Sequence, residues 1–147
     1  MFIQIAIGTG LLLASIVIAG VSLWWLEVAF VRARPWLARP PHRPKLIVVL
    51  CAVALWIIMQ MTIAVWLWAL TMRGLGLFET MEASVYFALV AFTTLGFGDV
   101  LLPQEWRLLS GMASVNGLLN IGLVTALLVE ALRQVRLHQI ASAEEDT

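Results

Sequence analysis

The stretch that decides the fold is residues 93–99, which read Thr93-Thr94-Leu95-Gly96-Phe97-Gly98-Asp99. If successive backbone carbonyl groups are to point toward one axis, alternate residues must take left-handed backbone angles, which glycine accepts without a side-chain clash. Gly96 and Gly98 have this alternate spacing. The other interpretation of a Gly-x-Gly-Asp run is a simple turn. The sequence on either side decides between the two.

The flanking sequence is typical of an integral membrane protein. The 147-residue chain is 62% hydrophobic and 12% charged, with a mean hydropathy of +0.97, so it cannot build a conventional water-facing surface. Three apolar stretches, at about residues 2–31, 46–72 and 106–132, exceed the roughly 20 helical residues that cross a bilayer. The nine basic and nine acidic side chains cancel, which gives no reason to expect a nucleic-acid partner. We therefore expect an all-α membrane protein with three transmembrane helices.

A shorter apolar segment, residues 79–93, lies between the second and third of these spans. At 1.5 Å per residue such a helix reaches only about 20 Å, too little to cross the bilayer, so it must enter and return. Glu79 and Glu82 lie in its first turn, where the helix dipole favours carboxylates. Its carbonyl end would direct partial negative charge at the membrane centre, where a cation needs stabilising. The irregular residues 94–99 are tolerable there only if they are buried in protein or line water.

The distribution of basic residues predicts the orientation of the chain. Residues 32–45, between the first two spans, form a predicted cytoplasmic basic loop that carries Arg32, Arg34, Arg39, Arg43 and Lys45. Residues 136–147 form a predicted short cytoplasmic tail. Because Lys and Arg collect on the cytoplasmic side, the N-terminus is expected outside and the C-terminus inside. The basic loop is either only this topological signal or also a site for anionic lipid.

Residues 46–135 together resemble the pore domain of tetrameric potassium channels. The resemblance divides this region into an outer helix at 46–72, a pore helix at 79–93, a selectivity filter at 94–99 and an inner helix at 106–132. It implies a homotetramer in which each chain supplies one wall of the filter. Residues 1–31 lie outside the resemblance and form an additional N-terminal transmembrane helix.

The resemblance also implies a role for individual residues. The carbonyl groups of Thr94, Leu95, Gly96 and Phe97 would coordinate K⁺ as a permeant ion, with Gly98 completing the filter. The outer mouth would include Asp99 and Glu105. The filter would be supported by Tyr86, Phe87, Val90 and Thr93. The inner helix would place a hinge at Gly117 and cavity-facing side chains at Leu118, Ile121, Thr125 and Val129.

Two positions depart from the commonest pattern of that family. Phe97 replaces the usual tyrosine, so a hydroxyl group that would anchor the filter is missing. Val90 lies where some members have a carboxylate behind the filter, so a buried acid interacting with Asp99 is not expected. An aromatic pair, Tyr86 and Phe87, is present and supports the expectation of an aromatic surround.

Several polar and small residues of the third span leave two interpretations open. Gly117 is either a hinge or a site of close helix packing, and close packing is the expected role of Gly122. Asn116 and Asn120 either line the cavity or form hydrogen bonds between helices.

The function expected from these features is passive K⁺-selective conduction in a bacterial plasma membrane. No cofactor and no enzymatic activity are expected, because no phosphate-binding glycine loop and no nucleophile-base pair occurs in the sequence. The alternatives are a weakly selective cation channel and a non-conducting membrane subunit of a larger complex.

Overall fold

The computed structural model describes residues 1–37 and 42–145, and this part of the chain contains helices but no strand. The helices are α1 (Phe2–Leu37), α2 (His42–Gly74), α3 (Met81–Phe92) and α4 (Arg107–Glu145), with a short 3₁₀ helix at Gln104–Trp106 just before α4. Within these elements, Phe2–Ala33, Ile47–Gly74 and Gln104–Ala126 are long and apolar enough to cross a membrane. The expected all-α membrane fold is confirmed.

Helices α1 and α2 extend further into the predicted basic loop than the sequence indicated. The basic loop was predicted over residues 32–45, but α1 continues to Leu37 and α2 begins at His42, while residues 38–41 lie outside the described part. Arginine is a good helix former, so Arg32 and Arg34 do not end α1. Pro44 lies in the first turn of α2, where backbone N–H groups have no intrahelical acceptor and proline is tolerated.

The inner helix is also longer than predicted. We expected it to end near residue 132, but α4 continues to Glu145 and includes most of the predicted tail. Residues 133–145 contain neither glycine nor proline and have two each of Arg, Gln, Ala and Glu, which have high helix propensity. Nothing in this segment ends the helix, so it extends beyond the apolar stretch.

The short helix α3 packs between α2 and α4. Its last residue, Phe92, contacts Trp68 of α2 edge to face, with ring centroids 6.3 Å apart, while Phe78 and Phe87 pack with centroids 5.3 Å apart. Leu109 of α4 is fully buried in the same apolar core. Because an edge-to-face pair and area burial favour one relative position and angle, this core positions the end of α3 and the residues 93–99 that follow it.

The additional helix α1 packs mainly against α4 and less extensively against α2. Its buried residues recur every three or four positions along one face: Gln4, Gly8, Leu11, Ser15 and Ala19. This is the spacing of one contact stripe on an α-helix. At Gly8 the backbone approaches Met112 of α4 so closely that a Cβ atom would overlap the methionine side chain.

Candidate functional site

The start of α3 is determined by Thr80. Its backbone is extended (φ −122°, ψ 151°), and its hydroxyl oxygen accepts a hydrogen bond of 3.2 Å from the Ala83 N–H. This is N-capping, which stabilises a helix end by about 1 kcal/mol. Helix α3 therefore begins at Met81, two residues later than predicted, and Glu79 precedes the cap. Glu82 lies in the first helical turn as expected.

The end of α3 is closed by a Schellman motif. The Thr94 N–H donates to the Ala91 carbonyl oxygen at 3.0 Å, and the Leu95 N–H donates to the Val90 carbonyl oxygen at 3.1 Å. This motif needs a left-handed residue after the helix, usually glycine. Thr94 takes that place, with φ 56°. A β-branched residue is an outlier in this region of backbone space, and such strain is concentrated at functional sites.

Left-handed angles recur at every second residue beyond the helix: φ is 56° at Thr94, 57° at Gly96 and 77° at Gly98. The sequence predicted the two glycines of this alternation but not the threonine, because threonine propensity argues against such an angle. The described part of the chain donates no hydrogen bond to the carbonyl oxygens of residues 94–98. All residues of 93–99 are exposed in the single chain. The result is a row of available backbone oxygen atoms.

The end of this row at Asp99 is connected to α3 by a hydrogen bond between side chains. The Tyr86 hydroxyl donates to Asp99 Oδ2 at 2.6 Å, and the Val100 N–H donates to Asp99 Oδ1 at 3.0 Å. The bond from Tyr86 holds the pKa of Asp99 below its ordinary value and raises the pKa of Tyr86. Both shifts favour the ionised carboxylate with a neutral phenol as its donor.

This contact was not expected from the sequence. The position considered for a carboxylate partner of Asp99 was 90, where valine stands, and Tyr86 was placed only in an aromatic surround. The sequence did contain one indication of this contact. Tyr86 and Val90 are one turn apart on α3, so a hydrogen-bond donor at either position lies on the same face of the helix.

Two other predicted supporting residues, Phe87 and Thr93, have different contacts. Phe87 is buried in the core against Phe78, away from the exposed face that carries Tyr86. The Thr93 hydroxyl donates to the Leu89 carbonyl oxygen at 2.8 Å and so closes the helix end.

Glu105 is exposed in the 3₁₀ helix, and no described residue forms an ion pair with it.

Gly117 lies against the end of α3. A Cβ atom at this position would overlap the Phe92 carbonyl group, so only glycine allows this approach. Close packing is therefore one role of Gly117. Gly122 is exposed, and a Cβ atom added there would have no atom within 4 Å, so the single chain packs nothing against it and its close-packing role stays a prediction.

The predicted cavity residues share one exposed face of α4. Leu118, Ile121, Thr125 and Val129 are all exposed in the single chain, and their spacing of three or four residues places them on one side of the helix. The Thr125 hydroxyl is bonded to its own helix at the Ile121 carbonyl oxygen, 2.8 Å away. This face of α4 points away from the hydrophobic core of the single chain.

The two asparagines of α4 are buried. Asn116 Nδ2 donates to Ser15 Oγ of α1 at 3.0 Å, which confirms a hydrogen bond between helices. Asn120 Nδ2 donates within its own helix, to the Asn116 backbone oxygen at 2.9 Å and to Asn116 Oδ1 at 3.3 Å. Cavity lining is therefore wrong for Asn116, whose side chain is directed at α1.

The arrangement is suited to holding cations with backbone oxygen atoms. Among residues 1–37 and 42–145, no group of three His, Cys, Asp or Glu side chains could hold a metal ion. An irregular backbone with unpaired carbonyl groups cannot face lipid. The row at 94–98 must therefore be covered by protein that is not part of this single chain, or line water.

Comparison with known proteins identifies one family. Residues 45–134 match the sequence model of the family described as "Ion channel", which covers more than half of the 147 residues. The matched region begins in the first turn of α2 and ends within α4, so it contains α3 and residues 93–99 and leaves α1 outside. No curated protein and no solved structure matches the chain.

Proposed function

We propose, because the chain belongs to the ion channel family, that four copies of it form a passive channel selective for K⁺. The observation that carries this proposal is the alternation of left-handed angles at Thr94, Gly96 and Gly98, which leaves successive carbonyl groups without partners. Four such strands around one axis supply the carbonyl rings that replace the hydration shell of a permeating ion.

Selectivity for K⁺ is supported by the composition of the strand. The carbonyl groups of Thr94, Leu95, Gly96 and Phe97 form the proposed coordination sites, with Gly98 allowing the chain to leave the filter. No side-chain charge lies within residues 93–98, so an ion there exchanges water oxygen for carbonyl oxygen. A ring of carboxylates would instead favour divalent cations over K⁺.

The filter has a support at its outer end. The Tyr86 to Asp99 bond links the residue after the filter to the helix behind it. Asp99 and Glu105 also place negative charge near the outer mouth, which raises the local cation concentration. Both features are consistent with a conducting pore.

The tetramer is supported by the exposure of one filter strand per chain. Residues 93–99 are exposed in the single chain, and lipid cannot satisfy their carbonyl groups. The exposed face of α4 with Leu118, Ile121, Thr125 and Val129 would then line the inner cavity. We place the assembly in a bacterial plasma membrane with the N-terminus outside and the C-terminus inside, from the distribution of basic residues. Anionic lipid at the basic loop, 32–45, is part of the proposal.

Ion flux into liposomes tests the function. Purified protein is reconstituted with K⁺ inside and Na⁺ outside, and the reversal potential is measured before and after the gradients are exchanged. A reversal potential that follows K⁺ supports the proposal. One that lies near zero in both arrangements indicates a weakly selective cation channel.

Native mass measurement tests the assembly in the same preparation. Four subunits in mild detergent are expected. An intact tetramer that gives no flux for either cation indicates a non-conducting subunit, and a stable monomer or trimer as the functional species overturns the proposed filter.

A further inference from the structure

A buried hydrogen bond fixes α1, the helix that the family match leaves without a role, to α4. Ser15 and Asn116 are 1% and 0% exposed, and Asn116 Nδ2 donates to Ser15 Oγ at 3.0 Å. Because both side chains are buried, loss of the acceptor leaves a buried amide unpaired, which costs more than the net value of the bond itself. The bond therefore holds α4 at a defined position relative to α1.

The residue that follows Asn116 is the glycine that lies against the end of α3. A Cβ atom built at Gly117 would overlap the carbonyl group and the Cα atom of Phe92, so the two backbones are in direct contact. Phe92 is the last residue of α3, and its ring packs against Trp68 of α2. Two consecutive residues of α4 therefore connect α1 to the end of the short helix.

The residues just after Phe92 depend on this support because Thr94 is strained. Its φ of 56° is unfavourable for a β-branched residue, and such an angle persists only where the surrounding structure over-determines it. The Thr94 and Leu95 N–H groups fix the angle by donating to carbonyl groups of α3 at 3.0 and 3.1 Å. Those two bonds require the last turn of α3 to stay in place.

We propose that α1 acts as a brace for the strand 94–98, with Ser15 as a positioning residue that acts through α4. The brace is the series of contacts from Ser15 through Asn116 and Gly117 to Phe92. It resists movement of α4 away from the last turn of α3 and so maintains the left-handed angle at Thr94. In the proposed channel, α1 thereby stabilises the ion-binding shape of the strand, and this consequence rests on the proposed function.

The brace predicts a local loss of protection when the bond between α1 and α4 is removed. In Ser15→Ala the acceptor is missing, so the Thr94 and Leu95 N–H groups should exchange with deuterium about fivefold faster, the effect of one net hydrogen bond. The Ala83 N–H, which donates to Thr80 Oγ1 at the other end of α3, should exchange at the wild-type rate. A general loosening of the fold would accelerate all three amides.

A double variant keeps the test independent of folding. Ser15→Ala combined with Asn116→Leu replaces both polar groups by apolar ones, so no buried amide is left unpaired. Asn120 keeps its shorter bond, to the backbone oxygen of residue 116 at 2.9 Å. The double variant should therefore fold, and Thr94 and Leu95 should still exchange faster because the bond to α1 is absent.

The matched controls are Ser22→Ala on α1 and Ser114→Ala on α4. The Ser22 hydroxyl donates to the Ala19 carbonyl oxygen of its own helix at 3.1 Å, and the Ser114 hydroxyl donates to the Ser110 carbonyl oxygen of its own helix at 3.4 Å. Each control removes one serine hydroxyl without removing a hydrogen bond between helices. Exchange at Thr94 should stay at the wild-type rate in both.

Exchange is measured on the full-length protein in liposomes, by mass spectrometry with fragmentation to single amides. Faster exchange at Thr94 and Leu95 in Ser15→Ala and in the double variant, with wild-type rates in the controls, supports the brace. Equal rates in Ser15→Ala and Ser22→Ala, an equal acceleration at Ala83, or wild-type exchange in the double variant overturns it. If Ser15→Ala does not fold, the double variant decides by the same criteria.

The brace and the proposed channel function fail in different measurements. If the reversal potential of the wild-type protein shows no preference for K⁺, the proposed function is wrong, and the exchange rates still test the brace. If K⁺ selectivity is present, Ser15→Ala should need about fivefold more external K⁺ to keep conducting, because bound ions stabilise the state that binds them. Selective conduction with an unchanged K⁺ requirement would show that the brace does not act on conduction and would leave the proposed filter standing.

Discussion

Replacing Gly98 by alanine separates the role of the backbone angle from that of packing. Gly98 has φ 77°, and no atom lies within 4 Å of an added Cβ position. The substitution therefore introduces no clash with another part of the chain. Its cost is the left-handed backbone angle alone, about 1–2 kcal/mol for a residue with a side chain.

In the proposed tetramer, four copies of the strand 94–98 act on one ion pathway. If the four strands keep their conducting shape together, the cost sums to about 4–8 kcal/mol per pore, and the conducting form should become less populated by a factor of at least about 10³. Alanine also lowers the conformational entropy of the unfolded chain, which stabilises the folded protein against unfolding by about 0.4–1 kcal/mol per alanine. That offset does not act on the equilibrium between conducting and non-conducting shapes of the proposed tetramer, because both are folded.

The control is Gly76→Ala. Gly76 also has a left-handed angle, φ 72°, with open space around its Cβ position, but it lies in the turn that follows α2. The backbone cost is the same, and it falls outside the filter. We expect wild-type K⁺ flux for Gly76→Ala and loss of K⁺-selective flux for Gly98→Ala, with equal yields of both tetramers after extraction.

Flux into liposomes and native mass measurement decide the outcome. Wild-type selectivity and flux in the Gly98→Ala protein would refute the assignment of these carbonyl groups as ion ligands. Loss of flux in both variants would show that the effect belongs to folding or assembly and that the filter angle is not its cause.

Four further predictions concern the filter support, the inner helix and the topology. Gly117→Ala should lower the melting temperature of the tetramer, because the methyl group overlaps the end of α3, whereas Gly122→Ala, with open space at its Cβ, should not. The pKa of Asp99 is lowered by the bond from Tyr86, so the stabilisation that this bond gives to the charged Asp99 is complete above the ordinary carboxyl pKa. It is lost only as external pH falls through the lowered value. Tyr86→Phe should therefore move the acid-induced loss of conduction to higher pH. Phe97→Tyr adds a hydroxyl that can bond to Tyr86, a contact of about 1 kcal/mol per subunit, and recordings should show slower inactivation at low external K⁺ with unchanged selectivity; identical inactivation in the two proteins would contradict this. Reporters fused to the two ends should place the N-terminus outside and the C-terminus inside, and finding both on one side would contradict three membrane crossings.

The parts of the fold that follow from periodic patterns were predictable. Apolar length predicted the three long helices, and the shorter length of residues 79–93 predicted a helix that does not cross. The glycine spacing predicted left-handed angles at Gly96 and Gly98. Helix ends were less predictable. Thr80 is the N-cap, so α3 starts at Met81 and not at Glu79. Several neighbouring residues near a helix start can serve either as the cap or as the first helical residue, and the sequence alone does not choose between them.

The parts that depend on tertiary contacts were not predictable. Thr94 has low preference for a left-handed angle, and its conformation follows from the Schellman motif that closes α3. Tyr86 and Asp99 are 13 residues apart, and no local pattern pairs them. Ser15 is one small polar residue in an apolar helix, and its sequence position does not identify Asn116, 101 residues away, as its partner.

The unpaired carbonyl row at residues 94–98 has a consequence for how the protein is made. In the proposed channel, a newly inserted chain that is still alone in the bilayer holds these groups at a depth where lipid offers no donor, at a cost of several kcal/mol per group. Insertion and assembly are therefore linked, and a chain that finds no partners is left in a high-energy state that quality-control proteases can recognise. A substitution that only slows the meeting of subunits would lower the cellular amount of the protein while leaving every finished pore unchanged.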